Sequence, residues 1–177
     1  TDVIYPISDT LDLAVANIEL SAADLHLTNE MARETRLKQA LDTVSDNYDF
    51  VLIDCPPNLG LLTINALTAS DYTLIPVATD YLSLRGLNLL LGTIESVKAR
   101  LNTNIEILGI IATRHDMRTL HDQETMHLLQ EQFSGNILGT ISESIRVKDS
   151  ISATKPLITF DANHKTTHEY AAVADKI

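Results

Sequence analysis

Tyr48-Asp49-Phe50-Val51-Leu52-Ile53-Asp54-Cys55-Pro56-Pro57-Asn58-Leu59-Gly60 is the stretch from which the fold of this chain is read. Four apolar residues, Phe50 to Ile53, run without interruption into Asp54, with Asp49 before them and Pro56-Pro57 behind. A short run that is apolar on both faces predicts a strand buried on both sides of a parallel sheet. The pattern recurs at Tyr72 to Val77 and Ile105 to Ala112, and more weakly at Asn136 to Ile141; Leu11 to Ile18 also reads as a strand. Helical spacing lies between these runs. Met31, Leu37, Ala40, Leu41 and Val44 predict one buried helical face over Met31 to Val44. Further helices are predicted over Leu61 to Ala69, Leu82 to Leu101, Leu120 to Phe133 and Thr166 to Ile177, and Ser21 is placed to cap a short one over Ala22 to Leu27. Strands alternating with helices of this length predict right-handed βαβ crossovers and a three-layer α/β fold, a mostly parallel sheet flanked by helices. No linker, repeat or low-complexity tract interrupts the pattern, so residues 1–177 read as a single domain.

Composition narrows the function classes. With 177 residues and 45% hydrophobic content, the chain is large enough to bury roughly 70% of the surface its unfolded form exposes. This excludes intrinsic disorder and disulfide scaffolds. Cys55 is the only cysteine, which fits a reducing compartment. Apolar runs fall far short of the ~20 residues of a membrane span, and no secretory leader is visible. A start at Thr1 rather than Met reads as a trimmed or incomplete polypeptide. The 24 acidic residues outnumber 13 basic ones for a formal charge of −11, so any nucleic-acid binding would need a local basic cluster. The balance favours a cytoplasmic enzyme or interaction domain.

Ligands of open parallel sheets sit at the carboxyl ends of the strands. The residues there are Asp54-Cys55-Pro56-Pro57, Ala78-Thr79-Asp80 and Thr113-Arg114-His115-Asp116. Asp54 is a carboxylate at a predicted strand tip, the arrangement by which a Walker B acid meets magnesium or its water shell; an Asp capping the following loop has the same local sequence. Two prolines stiffen that loop, and Gly60 permits a close backbone approach in a turn whose N–H groups can face a phosphate.

The run from Tyr48 to Leu67 (YDFVLIDCPPNLGLLTINAL) resembles the Walker B and switch II segment of ParA/Soj-type partition ATPases, which are deviant-Walker P-loop proteins. The similarity continues through Leu74-Ile75-Pro76-Val77, Leu82 to Leu87, Ile110-Ile111-Ala112-Thr113, Asp116 to Thr119 and Pro156-Leu157-Ile158, to a closing helix with Tyr170. The resemblance implies that Asp54 is the catalytic acid that orders Mg through water, and that Pro57 and Gly60 form the turn that senses the γ-phosphate. It implies that Leu61 to Leu67 lies on a dimer face, that Thr113 approaches the adenine, and that Arg118 and Arg146, joined by Lys148, contact DNA phosphates. Arg114 and Lys155 could join that basic set. The resemblance further implies ATP and Mg as cofactors, a homodimer, non-specific nucleoid DNA and a ParB-type centromere-binding protein as partners, and a cytoplasmic, nucleoid-associated protein. The family's Lys-Gly-Gly-x-Gly-Lys-Thr and Asp-x-Asp-Pro-Gln runs do not occur in the sequence. Both would lie before Thr1, which makes this chain the carboxyl-terminal two-thirds of such a protein, inactive in ATP hydrolysis by itself. Its sheet would carry an exposed edge where the P-loop strand belongs. Ser142-Glu143-Ser144-Ile145-Arg146-Val147-Lys148 also departs from the family's Ile-Pro-x-Asn-x-Arg-Leu by losing the proline and adding Glu143.

Other constellations read more simply. Cys55 has no nearby His or Arg at phosphatase spacing and reads as a small buried thiol. His164 and His168, followed by Glu169, lack the second-position glutamate of a zinc helix. His115, His121 and His127 read as solvent-facing, and Leu87, Leu89, Leu90, Leu91, Ile94 and Val97 as helical core or dimer interface. The closing helix carries Glu169, Asp175 and Lys176 and is no basic membrane anchor. The arginines without the resemblance are ordinary solvated surface charges. The alternative function is a non-catalytic interaction module that pairs through the switch II and Leu82 to Leu101 surfaces.

Overall fold

A hairpin opens the chain: β1 (Ile4–Ser8) pairs antiparallel with β2 (Leu11–Ala14), with a register irregularity between Pro6 and Ser8. This computed structural model describes residues 3–177, apart from the side chains at positions 18, 21 and 24, and those residues divide into two compact units at Ala69/Ser70. The predicted strand over Leu11 to Ile18 is therefore shorter and belongs to an exposed hairpin, not to the parallel sheet. The Asn17 side chain accepts the Glu19 N–H at 3.0 Å and starts a 3-10 turn, Ile18–Ala22, which passes into α1 (Ala23–His26). The predicted Ser21 cap lies outside the described residues. The predicted helix over Met31 to Val44 breaks at Ala32, whose φ of 54° is left-handed. A 3-10 turn at Arg33–Thr35 follows, and only α2 (Arg36–Leu41) is α-helical.

α3 (Leu61–Ala69) completes the first unit, and Asn65 ties it to α2. At 3% exposure, Asn65 accepts from the Leu37 N–H at 3.1 Å and donates to the Arg33 and Leu61 carbonyls at 2.8 and 3.0 Å. A buried amide is tolerable only when its donors and acceptor are used in this way. Phe50 to Ile53 differ from expectation. They form no ladder, and Phe50 and Leu52 are 72% and 92% exposed. An apolar run becomes a two-faced buried strand only when neighbours pair both its edges, and among the described residues no strand pairs with it.

The second unit is built on three parallel strands in the order β3 (Tyr72–Ala78), β4 (Glu106–His115), β5 (Ile137–Ser142). Two helices make the crossovers, α4 (Tyr81–Arg100) and α5 (Leu120–Gln132). Each begins on a side-chain cap. Asp80 accepts the Ser83 N–H at 2.9 Å, and the Thr119 hydroxyl accepts the Asp122 N–H at 3.3 Å. Leu87, Ile94 and Val97 recur on one face of α4 and are buried, as are Ile75, Val77, Ile110, Ala112 and Ile141 of the strands and Leu129 of α5. Three helices follow β5: α6 (Ile145–Ser152), α7 (Leu157–Phe160) and α8 (Lys165–Ala174). The first two are absent from the sequence reading because neither carries an apolar stripe long enough to show a period, although Ser144 is an N-cap signal. A parallel sheet flanked by helices makes this an α/β fold, as the alternation predicts. Among the described residues no helix is long and apolar enough to cross a membrane.

Glycine sets the closest approach in this sheet. A Cβ on Gly109 would stand 2.5 Å from Leu138 Cγ and 2.9 Å from the Asn136 carbonyl, which accepts the Ile110 N–H. Gly109→Ala is expected to destabilise the fold by about 1–3 kcal/mol, since the backbone atom cannot move without breaking the ladder. Urea unfolding checks this; an unchanged midpoint would show that the strand spacing yields.

Candidate functional site

In the first unit, Asp54 lies in the exposed segment between the 3-10 turn at Ser45–Asn47 and α3. The far end of that segment is anchored. Thr63, buried on α3, donates its hydroxyl to the Asn58 carbonyl at 2.6 Å, and the Gly60 carbonyl accepts the Ile64 N–H at 3.1 Å. Gly60 is thus the hinge from the Pro56-Pro57 loop into the helix, while Asp54 and Pro57 are solvent-exposed. Cys55 is exposed rather than buried as expected. Its thiol is nevertheless pushed above the ordinary value, by desolvation first and by the Asp54 carboxylate second, which leaves little thiolate for nucleophilic chemistry.

Asp54 offers the hard oxygen donor that magnesium takes. No cluster of three or more His, Cys, Asp or Glu side chains suited to a metal occurs among the described residues, and the sequence has no glycine-lysine phosphate cradle.

In the second unit the strand ends are tied to one another. The Thr79 N–H donates to the Thr113 carbonyl at 3.3 Å, joining the tips of β3 and β4. Thr79, 2% exposed, donates its hydroxyl to Asp122 Oδ1 at 2.9 Å, and Thr119 donates to Asp122 Oδ2 at 2.6 Å. His115 Nδ1 lies 3.4 Å from the Thr79 hydroxyl, so this histidine is part of the network and not simply solvent-facing; His121 and His127 are exposed. The Thr119 hydroxyl, then that of Thr79, hold the Asp122 carboxyl below its ordinary range. Sequence reasoning missed this network, although Thr-x-x-Asp at 119–122 is a capping-box pattern.

Thr113 is half-buried at the end of β4, and Arg114 beside it has a left-handed φ of 55°. Arg114 Nε stands 3.5 Å from Glu143 Oε2, and Lys148 Nζ 3.1 Å from Glu143 Oε1. One carboxylate therefore joins two cations from different elements. Arg118 forks onto its own neighbour, Nε to Asp116 Oδ1 at 2.9 Å and Nη2 to Oδ2 at 2.7 Å. Arg146 is held by Asp161 at 2.9 Å and Asp149 at 3.5 Å, with its guanidinium 4.8 Å from the Phe160 ring centroid. Each predicted DNA-contacting cation thus already has an intrachain carboxylate.

Glu169 accepts from the Ser142 N–H and hydroxyl, both at 2.7 Å, and pairs with Lys165 at 3.2 Å, which docks α8 at the tip of β5. Burial works to raise its pKa, but these partners outweigh burial and leave it lowered. His164 spends Nδ1 on capping α8, accepting the Thr166 N–H at 3.1 Å.

The family model for the AAA domain matches residues 1–107. The sporulation initiation inhibitor protein Soj of Bacillus subtilis (strain 168) is 39% identical over 170 residues, covering 96% of this chain and 67% of Soj. This chain belongs to the ParA/Soj family of partition ATPases. Among solved structures, a putative plasmid partition protein of Borrelia burgdorferi B31 bound to AMPPNP superposes with a TM-score of 0.83 at 25% identity, over 99% of this chain and 67% of that one. An uncharacterized protein of Mycobacterium tuberculosis (strain ATCC 25618 / H37Rv) is 41% identical over 94% of this chain. The chain spans 53% of that relative's length.

Within this ParA/Soj member, the Asp116–Arg118 fork is a short two-bond ion pair on the surface. The Arg118 side chain, then its backbone N–H, lower the Asp116 carboxyl to about 2. A depressed carboxyl contributes stability that is complete above its unfolded pKa of about 3.9 and is lost as pH falls through the folded value. An NMR titration of the Asp116 carboxyl is expected to show a midpoint near that low value, returning toward the ordinary range in Arg118→Ala. Identical midpoints in the two proteins would mean that the fork does not persist in solution.

Proposed function

We propose that this chain supplies the Walker B, switch II and DNA-facing parts of a partition ATPase, acting as one domain over residues 1–177. In the intact protein ATP and Mg bind, two copies pair, DNA of the nucleoid is held without sequence preference, and a ParB-type centromere-binding protein stimulates turnover in the cytoplasm. The observation that carries the reading is the run Phe50 to Gly60. It is an apolar segment leading to Asp54, then two prolines, then a glycine that passes directly into α3, in a chain 39% identical to Soj.

Asp54 is assigned the ordering of magnesium through water, and Pro57 with Gly60 the turn that answers to the γ-phosphate. Thr113, half-buried at a strand's carboxyl end, is assigned to the nucleotide's base. Arg118, Arg146 and Lys148 are assigned to DNA phosphates. They differ in availability. The Arg118 side chain is 88% exposed and pairs with one residue, whereas Arg146 is shared by two carboxylates and a ring. Arg118 is therefore the better test of the DNA assignment, because removing Arg146 also loosens α6 from α7. The chain alone, with no phosphate cradle in its sequence, does not hydrolyse ATP.

In the intact protein Asp54→Asn is expected to lower ATP turnover about 10–100-fold, the usual cost of removing a group that orients a metal's shell. Arg118→Ala should leave ATP binding unchanged, weaken retention on duplex DNA of any sequence, and reduce the salt slope of log K by about 0.9 for the lost phosphate contact. Full DNA retention at low salt in Arg118→Ala would overturn the assignment of that residue. Unaltered turnover in Asp54→Asn would overturn the catalytic one.

A further inference from the structure

Arg114 is a non-glycine residue with reversed φ whose two flanking carbonyls are both pinned. The Thr113 carbonyl accepts the Thr79 N–H at 3.3 Å, and the His115 carbonyl accepts the Glu143 N–H at 3.1 Å. Such backbone persists only where its surroundings over-determine it, and it concentrates at sites with a task. The result here is that Arg114, at the tip of β4, meets Lys148, on α6, across the Glu143 carboxylate. The Arg114 and Lys148 side chains are 73% and 70% exposed, so solvent and a large polyanion can both reach them. Two cations that converge on an anionic oxygen pair are the donor set that also receives a phosphate diester.

We propose that Glu143 occupies, within the chain, the place of a DNA backbone phosphate, and that Arg114 and Lys148 form a two-cation clamp that DNA engages by displacing it. This inference rests on the DNA-binding reading and extends it: Arg114 becomes a contact residue, and Glu143 sets how tightly the surface binds. Exposed ion pairs of this kind are weak and screened by salt, so a phosphate that brings neighbouring contacts with it can compete for the clamp. A phosphate diester carries the same single negative charge as the carboxylate it replaces, so the exchange leaves the clamp neutralised. The carboxyl stays ionised when unoccupied by DNA, because Lys148 first and Arg114 second hold it below the ordinary glutamate range.

The test is a double-mutant cycle in the intact protein, read by fluorescence anisotropy on a duplex of arbitrary sequence at 50 mM and 200 mM salt. Glu143→Gln is expected to tighten binding roughly threefold or more at the lower salt, the worth of an exposed ion pair that DNA no longer has to displace. The gain should vanish when Arg114→Ala and Lys148→Ala are also present, and Glu95→Gln, which removes an exposed acid from α4, should show no comparable gain. An equal gain in Glu95→Gln, or a gain that survives loss of both cations, would show a net-charge effect and overturn the clamp. Native protein that binds duplex while Glu143→Gln binds no better would also overturn it, leaving the DNA reading intact. Failure of both proteins to bind duplex at low salt would overturn the DNA reading itself.

Discussion

Parallel pairing of β4 with both its neighbours is the constraint on which the second unit depends. Parallel strands require crossovers, so α4 and α5 follow from the pairing, and so does the gathering of three carboxyl ends at one edge of the sheet. At that edge a residue adjacent to each strand, or at its end, turns inward to a polar partner: Thr79 to Asp122, His115 to Thr79, and Ser142 to Glu169. These side-chain bonds join strand tips to one another and to α5 and α8, and at β5 Glu169 also accepts the Ser142 N–H that the end of the ladder leaves unpaired. A substitution at Thr79 would therefore disturb two strands and one helix cap together.

The electrostatics of the chain are local. A formal charge of −11 sets an unfavourable field for any polyanion, yet the cations at the strand ends are each held by a neighbouring carboxylate. Pairing fixes long flexible side chains in place and lowers the entropy they lose on meeting a ligand. It also sets a competitor beside every cation. Whether a given arginine serves structure or recognition then depends on how many partners it has. Arg146, between two carboxylates and the Phe160 ring, joins α6 to α7, while Arg118 keeps a freely hydrated outer face.

Much of this was legible from sequence. Apolar runs marked β3 and β4, and β5 more weakly, because burial on both faces leaves no polar period, and helical spacing marked α4 and α5, although their caps Asp80 and Thr119 were not read as such. The reading failed where the cause is not local. Nothing in an alanine signals the left-handed turn at Ala32 that divides the predicted Met31 to Val44 helix. Phe50 to Ile53 has the composition of a central strand, and composition states what a segment needs, not what surrounds it. Among candidate site residues, Asp54, Gly60 and Thr113 are singled out in the sequence by expected strand ends and turn chemistry, and their roles by the family resemblance alone. The sharing of Glu143 between Arg114 and Lys148 was not, since these residues come together only through the path of the chain from β4 to α6.

The bare Phe50 to Ile53 run also bears on the colloidal behaviour of the polypeptide. A stretch of high β-propensity with no proline or charge between Asp49 and Asp54, and with its backbone outside any ladder, is a template for strands from other molecules. The flanking aspartates act as gatekeepers through mutual repulsion when copies stack in register. Neutral side chains at positions 49 and 54 would remove that repulsion and leave the apolar strip open to self-association.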